Sequence, residues 1–167
     1  SGAERTLSFT AVGARNGTAT ITVTASDGAA ESSTSFVVTV NGAPSFLGLS
    51  DISVAEDSTE TLNFTITDPD LDPGSLQLSA SSAATSMLSD SSMVLGCSGA
   101  ERTLKIQPEP NRNGMTVISL TADDGRLRTT FAFQVTVLPV NDGPTVGMIA
   151  DQVTDEDTTN GPVPFAV

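Results

Sequence analysis

The sequence predicts an all-β chain, a tandem array of seven-stranded Greek-key β-sandwiches, and three observations carry that expectation. Residues 18–25 alternate strictly, with Ala19, Ile21, Val23 and Ala25 on one face and Thr18, Thr20, Thr22 and Thr24 on the other. That period of two belongs to a half-buried strand. Turn formers such as Asp27-Gly28, Asn113-Gly114 and Asp124-Gly125 punctuate the alternating runs and supply the positive backbone angles of tight hairpins. The third observation is repetition. Ser98-Gly99-Ala100-Glu101-Arg102-Thr103-Leu104 repeats Ser1-Gly2-Ala3-Glu4-Arg5-Thr6-Leu7 letter for letter, 97 residues later.

At the same spacing Arg15-Asn16-Gly17 returns as Arg112-Asn113-Gly114, and Val38-Thr39-Val40 as Val135-Thr136-Val137. Beyond a three-residue insertion, Asp51 and Glu56-Asp57 return as Asp151 and Glu156-Asp157. Self-similarity at a period of roughly 100 residues marks an array of domains, because a unit of that size buries its own core. The expected division is the back half of one unit in residues 1–42, a complete unit in 43–140 and the opening of a third in 141–167. Such a chain reads as a window on a larger protein.

Taken in order, Leu7 and Phe9 predict a short strand, Asn16-Gly17 a turn, and residues 18–25 a strand that Asp27-Gly28 folds onto Phe36, Val38 and Val40. Asn41-Gly42-Ala43-Pro44 ends the ladder, since proline has no N–H to donate. The complete unit then opens with Phe46, Leu49, Ile52 and Val54, turns at Glu56-Asp57-Ser58, and continues with Leu62, Phe64 and Ile66 facing inward. Asp68-Pro69-Asp70-Leu71-Asp72-Pro73-Gly74 breaks that strand, and Leu76, Leu78 and Ala80 begin the next. Residues 81–96 are expected to hold two weak edge strands, with Met93 and Leu95 or Met87 and Leu88 inward. Leu104 and Ile106, then Ile118, Leu120 and Ala122, then Phe131, Phe133, Val135 and Val137 complete the core. Asn141-Asp142-Gly143-Pro144 is the second boundary, Val146, Met148 and Ile149 start a third unit, and Val167 is expected to lie inside a strand. No segment shows a helical period, so nothing beyond a stray helical turn is expected.

Composition excludes several function classes. The net charge of −13 opposes nucleic acid, whose phosphates need clustered Lys and Arg, and anionic membrane surfaces. No base lies between Arg15 and Arg102, while Glu31, Asp51, Glu56, Asp57, Glu60, Asp68, Asp70, Asp72, Asp90 and Glu101 do. Carboxylates clustered without basic partners either sit in water or await a cation. The chain has no His, so neither a Ser/His/Asp nor a Cys/His nucleophile can be built within it. Paired carboxylates lack the aromatic platforms of a sugar site, and no enzyme is expected. The single cysteine, Cys97, is read as a small buried or half-buried thiol. No apolar run approaches the length of a membrane span.

About seven short strands per unit is the pattern of an immunoglobulin-like sandwich, without the Cys, Trp, Cys set or corner tyrosine of antibody domains. The linker Asn141-Asp142-Gly143-Pro144, the turns Glu56-Asp57-Ser58-Thr59 and Glu156-Asp157-Thr158-Thr159, and the Asp68-Pro69-Asp70 and Asp124-Gly125 motifs resemble those of the cadherin-like, immunoglobulin-like tandem repeats of large bacterial surface proteins. The resemblance implies an adhesin or cell-surface fibre, extracellular, with Ca²⁺ bound where consecutive domains meet. Its partners would be neighbouring repeats, other copies in a fibre, or a surface receptor or glycan.

Greek-key geometry places candidate ligands at both junctions. Asp68, Asp70, Asp72, Asp123 and Asp124 are expected to converge on Asn41 at the first, and Glu56 and Asp57 to lie beside Asn141 and Asp142 at the second. Ca²⁺ takes six to eight oxygens, which mixed Asp, Asn and Glu loops supply; the same residues are also ordinary turn formers. The first linker departs from the pattern, because it lacks an acid equivalent to Asp142 and is three residues shorter. A rod of repeats stiffened by Ca²⁺ is the functional expectation. The alternative is a self-assembling extracellular filament held by strand pairing between copies.

Overall fold

The computed structural model describes residues 4–13 and 15–167, and the side chains of all of these except residues 97 and 98. The thiol expected of Cys97, and the first three residues of the repeat motif, lie outside what is described. Among the described residues ten strands form: β1 (Gly17–Ser26), β2 (Glu31–Val40), β3 (Ser45–Leu47), β4 (Ile52–Ala55), β5 (Glu60–Thr67), β6 (Gln77–Ser82), β7 (Met93–Ser98), β8 (Glu101–Ile106), β9 (Gly114–Asp123) and β10 (Arg128–Leu138). Single 3-10 turns at Pro73–Ser75 and Asp90–Ser92 are the sole helical features among the described residues.

Strands β3 to β10 make two sheets, ordered β4-β10-β9-β6 and β3-β5-β8-β7. The first strand position is shared. Gly48, in the positive-φ region, lets the chain leave β3, antiparallel to β5, and cross to β4, parallel to β10. Eight segments therefore fill seven positions, and the topology is that of an immunoglobulin-like sandwich. The period of two dictates which side chains meet between the sheets. Phe64 and Ile66 from β5, Leu104 and Ile106 from β8, Ile118, Leu120 and Ala122 from β9, and Phe133, Val135 and Val137 from β10 are all buried. Phe46 packs its ring 6.1 Å from Phe64 and 6.3 Å from Phe131, which binds the two sheets at one end.

Four local expectations are corrected. Residues 81–96 hold the end of β6 and one edge strand, β7, rather than two edge strands. Between them the chain turns under the sandwich, where Met87 and Leu88 are buried and Met87 carbonyl oxygen accepts the N–H of Glu109 at 2.8 Å. Leu76 is buried at the end of a 3-10 turn, before β6 begins. The turn before β9 is made by Asn111, at φ 54°, and Asn113-Gly114 leads into the strand. No strand forms around Leu7 and Phe9, or between Val146 and Val167.

The N-terminal hairpin reproduces the last hairpin of the sandwich. Gly17 pairs with Val40 and Ile21 with Phe36 in β1 and β2, as Gly114 pairs with Val137 and Ile118 with Phe133 in β9 and β10. Local sequence is sufficient to set this register. Burial differs: among the described residues no second sheet lies over β1 and β2, and Val23 and Phe36 are 44% and 40% exposed while Phe133 is 3% exposed. The expected half-buried strand is therefore mostly open to solvent. Phe9 supplies a fragment of cover, its ring 6.3 Å from Phe36.

Candidate functional site

The loop between β5 and β6 and the hairpin between β9 and β10 both lie at the end of the sandwich where the chain arrives from β2. Asn41 Nδ2 donates to Asp124 Oδ2 at 2.7 Å, and the N–H of Gly42 donates to Asp70 Oδ2 at 2.5 Å. The linker is thus fastened to both loops that the sequence brings to this end. Gly42 is required by close approach, because a Cβ there would overlap Pro69 Cγ and lie 2.8 Å from Asn16 Nδ2.

Each aspartate first organises its own loop. Asp68 Oδ1 accepts the N–H groups of Asp70 and Leu71, both at 2.8 Å. Asp72 caps the 3-10 turn through Gly74 N–H at 3.1 Å. Asp123 Oδ1 accepts from Gly125 N–H at 2.8 Å, and Asp124 Oδ1 from Arg126 and Leu127 N–H at 2.6 and 2.7 Å. Bonds to the charged form favour it. The Leu127 N–H, followed by the Asn41 amide, therefore holds Asp124 below the usual carboxylate range. For Asp123 the Gly125 N–H comes first and Arg128 next, its Nε 2.7 Å from Oδ2. Asp27, the counterpart of Asp124 in the first hairpin, is lowered by the N–H groups of Ala30 and Ala29.

One oxygen stands apart at this end. Asp68 Oδ2 is buried and has no hydrogen-bond partner. Behind the same loop lies a residue that sequence reasoning counted only as a base. Arg102 is 3% exposed, its Nη2 donates to Pro73 carbonyl oxygen at 2.7 Å, and its Nε has no partner. Its position was legible in the alternation, since Arg102 shares the inward parity of Leu104 and Ile106.

At the opposite end, Glu56 follows β4. Its N–H donates to Leu138 carbonyl oxygen at 2.9 Å, its Oε1 accepts the N–H of Val140 at 2.9 Å, and its Oε2 is buried without a partner. Asp57 adopts φ 63° in the adjoining turn and is exposed. Asn141 donates to Asp142 carbonyl oxygen at 3.2 Å, and both side chains are exposed. Among the described residues, no three carboxylates are gathered closely enough to ligate one ion as they stand.

These features define a class, an immunoglobulin-like β-sandwich whose incoming chain is bonded to its end loops. No family model and no curated protein matches the sequence. Solved structures do. A chimeric titin Z1Z2 is 20% identical over 60% of this chain and 99% of its own, with a TM-score of 0.46. Domains 4 and 5 of the S-layer protein SbsC are 19% identical over 73% of this chain and 59% of theirs, at 0.41. SbsC domains 4–9 are 18% identical over 89% of this chain, which spans 22% of their length, at 0.45. Likeness at this level concerns the fold alone.

Proposed function

We propose that this chain is a structural segment of an extracellular, multi-repeat surface protein, a non-enzymatic rod whose joints are stiffened by Ca²⁺. The observation that carries this reading is the repeated hairpin, with the same pairing register 97 residues apart and a linker bonded to the next sandwich at Asp70 and Asp124. Units that contact only their neighbours in sequence build a quasi-one-dimensional rod.

The donor set suits a hard cation, which takes oxygen ligands. At the first joint Asp68 would offer its unpartnered Oδ2, with Asn41, Asp70, Asp72, Asp123 and Asp124 as further oxygen sources. At the second, Glu56 would offer Oε2, with Asp57, Asn141 and Asp142. A bound Ca²⁺ would neutralise carboxylates that otherwise repel one another across the joint. Asn41 and Gly42 meanwhile hold the linker against those loops, and Glu56 holds the outgoing strand end. Adhesion to a receptor or glycan would belong to other parts of such a protein.

Thermal unfolding in chelator and then in millimolar Ca²⁺ tests the reading. A rise in melting temperature that Asp68→Asn reduces, by the share of the first joint, supports it; an identical transition in both conditions overturns the calcium joint.

A further inference from the structure

We propose that the open edge of β7 pairs antiparallel with β7 of a second copy, joining two sandwiches side by side about a two-fold axis. The contact uses none of the joint carboxylates, so it goes beyond the rod reading and does not depend on calcium. Among the described residues β7 is the outermost strand of the sheet β3-β5-β8-β7. Ser92 carbonyl oxygen accepts the N–H of Gln107 at 3.2 Å. Because alternate residues of an antiparallel ladder turn their backbone groups to the partner strand, Val94 and Gly96 bond to β8, opposite Lys105 and Thr103. Leu95 turns its N–H and C=O to the open side.

Proteins normally blunt such an edge with a charge, a proline, a bulge or a very short strand. The other edges of this sandwich carry such devices. Strands β3 and β4 have three and four residues, and Asp51 Oδ1 accepts the N–H of Gln134 at 2.8 Å, capping the ladder of β10 where β4 begins. Along β6, Ala83 N–H continues the ladder to Val117 carbonyl oxygen, and the N–H of Ser82, which points the other way, is taken by Asp90 Oδ1 at 2.8 Å. Strand β7 differs. Its six residues include no charge and no proline, and its register runs one to one from Met93 opposite Ile106 to Ser98 opposite Glu101, without a bulge.

Charge selects a second copy as the occupant. The chain carries 20 acids against seven bases, so two copies repel wherever their acidic surfaces meet. Residues 73–100, which hold β6, β7 and the passage between them, contain a single charged residue, Asp90, and that carboxylate is engaged with Ser82. Two like-charged copies therefore approach at the lowest electrostatic cost along this side.

The edge is also self-complementary. The N–H of Met93 is already taken by Asp90 carbonyl oxygen, which leaves Leu95 at the centre of the free stretch. With the two-fold axis at Leu95, each Leu95 exchanges both backbone bonds with its counterpart, and Val94 stands opposite Gly96 of the second copy. Val94 is 57% exposed on the outer face. Gly96 stays bare, because a Cβ there would overlap Thr103 Oγ1, and so offers a flat seat for the valine. The contact is isologous and closes at two copies. It sets two rods antiparallel, since the chain enters and leaves each sandwich at opposite ends of its strands.

Sedimentation velocity of the intact chain in chelator, from micromolar to millimolar concentration, tests the contact apart from the calcium joints. The wild type is expected to pass from monomer to dimer, and Val94→Lys to stay monomeric over the same range. Ser79→Lys, on the exposed face of β6, should dimerise as the wild type does. Val94 and Ser79 are both exposed, so the unfolding transition should be unchanged in either variant. Amide exchange adds a residue-level reading: Leu95 N–H should slow as the dimer forms, whereas Val94 N–H, already bonded to β8, should not. A wild type that is monomeric at millimolar concentration, a dimer that survives Val94→Lys, a dimer that Ser79→Lys abolishes, or Leu95 exchange that ignores concentration overturns the pairing. None of these outcomes bears on Asp68 or Glu56 as calcium ligands.

Discussion

The carboxylate of Glu56 accepts the N–H of Val140 at 2.9 Å, joining the turn after β4 to the chain leaving β10. Glu56 is 5% exposed and its second oxygen is unsatisfied. Removing one partner of a buried hydrogen bond costs about 1–3 kcal/mol. Glu56→Ala should lower stability by that order, read as a shift in the urea midpoint at constant slope. An unchanged midpoint would mean the bond contributes nothing. Glu56→Gln keeps an acceptor for Val140 and should fall closer to wild type.

Phe36 and Phe133 occupy the same place in the repeat and differ in cover. Phe133→Ala should cost about 3–5 kcal/mol, the range for deleting a buried ring. Phe36→Ala should leave the main unfolding transition within about 0.5 kcal/mol. Equal losses in the two variants would show that the first hairpin is packed in solution.

Arg102 is a buried cation whose one described bond goes to Pro73. Replacing such a charge by an apolar group of similar volume is often neutral or stabilising. Arg102→Met should therefore hold global stability within about 1 kcal/mol of wild type, yet free the loop after β5. Amide exchange at Ser75 and Leu76, whose N–H groups bond to Asp72 and Pro73, should accelerate. Unaltered exchange would remove Arg102 from the positioning of that loop.

Asp123 and Asp124 give the joint a pH dependence of defined sign. Their folded pKa values are lowered by the Gly125 and Leu127 N–H groups respectively, below the unfolded value of about 3.9. Their contribution is complete above that unfolded value and is lost as the pH falls through the lowered folded one. Denaturant midpoints should hold steady near neutrality and fall below about pH 4, less steeply in Asp124→Asn. A variant with the wild-type acid slope would exclude Asp124 as a source.

If the acids bind calcium, saturation at about a hundredfold over Kd adds about 2.7 kcal/mol of stability. Asp68→Asn should remove the gain from the first joint while leaving the chelator-treated melting temperature near wild type. Calorimetry that detects no Ca²⁺ binding would leave Asp68 as a turn former alone.

Short-range patterns were legible in the sequence wherever the cause is local. The alternation of residues 18–25 and 114–123 sets strand and register in both hairpins, with or without a covering sheet. The turn after Glu56 recurs after Glu156 with the same hydroxyl-to-carbonyl bond and the same positive φ at the following aspartate, although no strands flank the second copy. The convergence of Asp70 and Asp124 on the first linker also followed, because antiparallel strands send alternate loops to the same end.

Tertiary structure alone decided what these local elements become. Leu7 and Phe9 share the pattern of Leu104 and Ile106 but form no strand among the described residues, whereas Leu104 and Ile106 lie in a strand paired on both sides, by β5 and β7. The burial of Arg102 depends on a loop that begins 34 residues earlier, at Asp68, and the burial of Glu56 on Val140. That β6 and β7 are the outermost strands is a property of the assembled sheets, and no period in the sequence encodes it. Local propensity fixes backbone angles residue by residue, whereas burial and edge position depend on which surfaces meet.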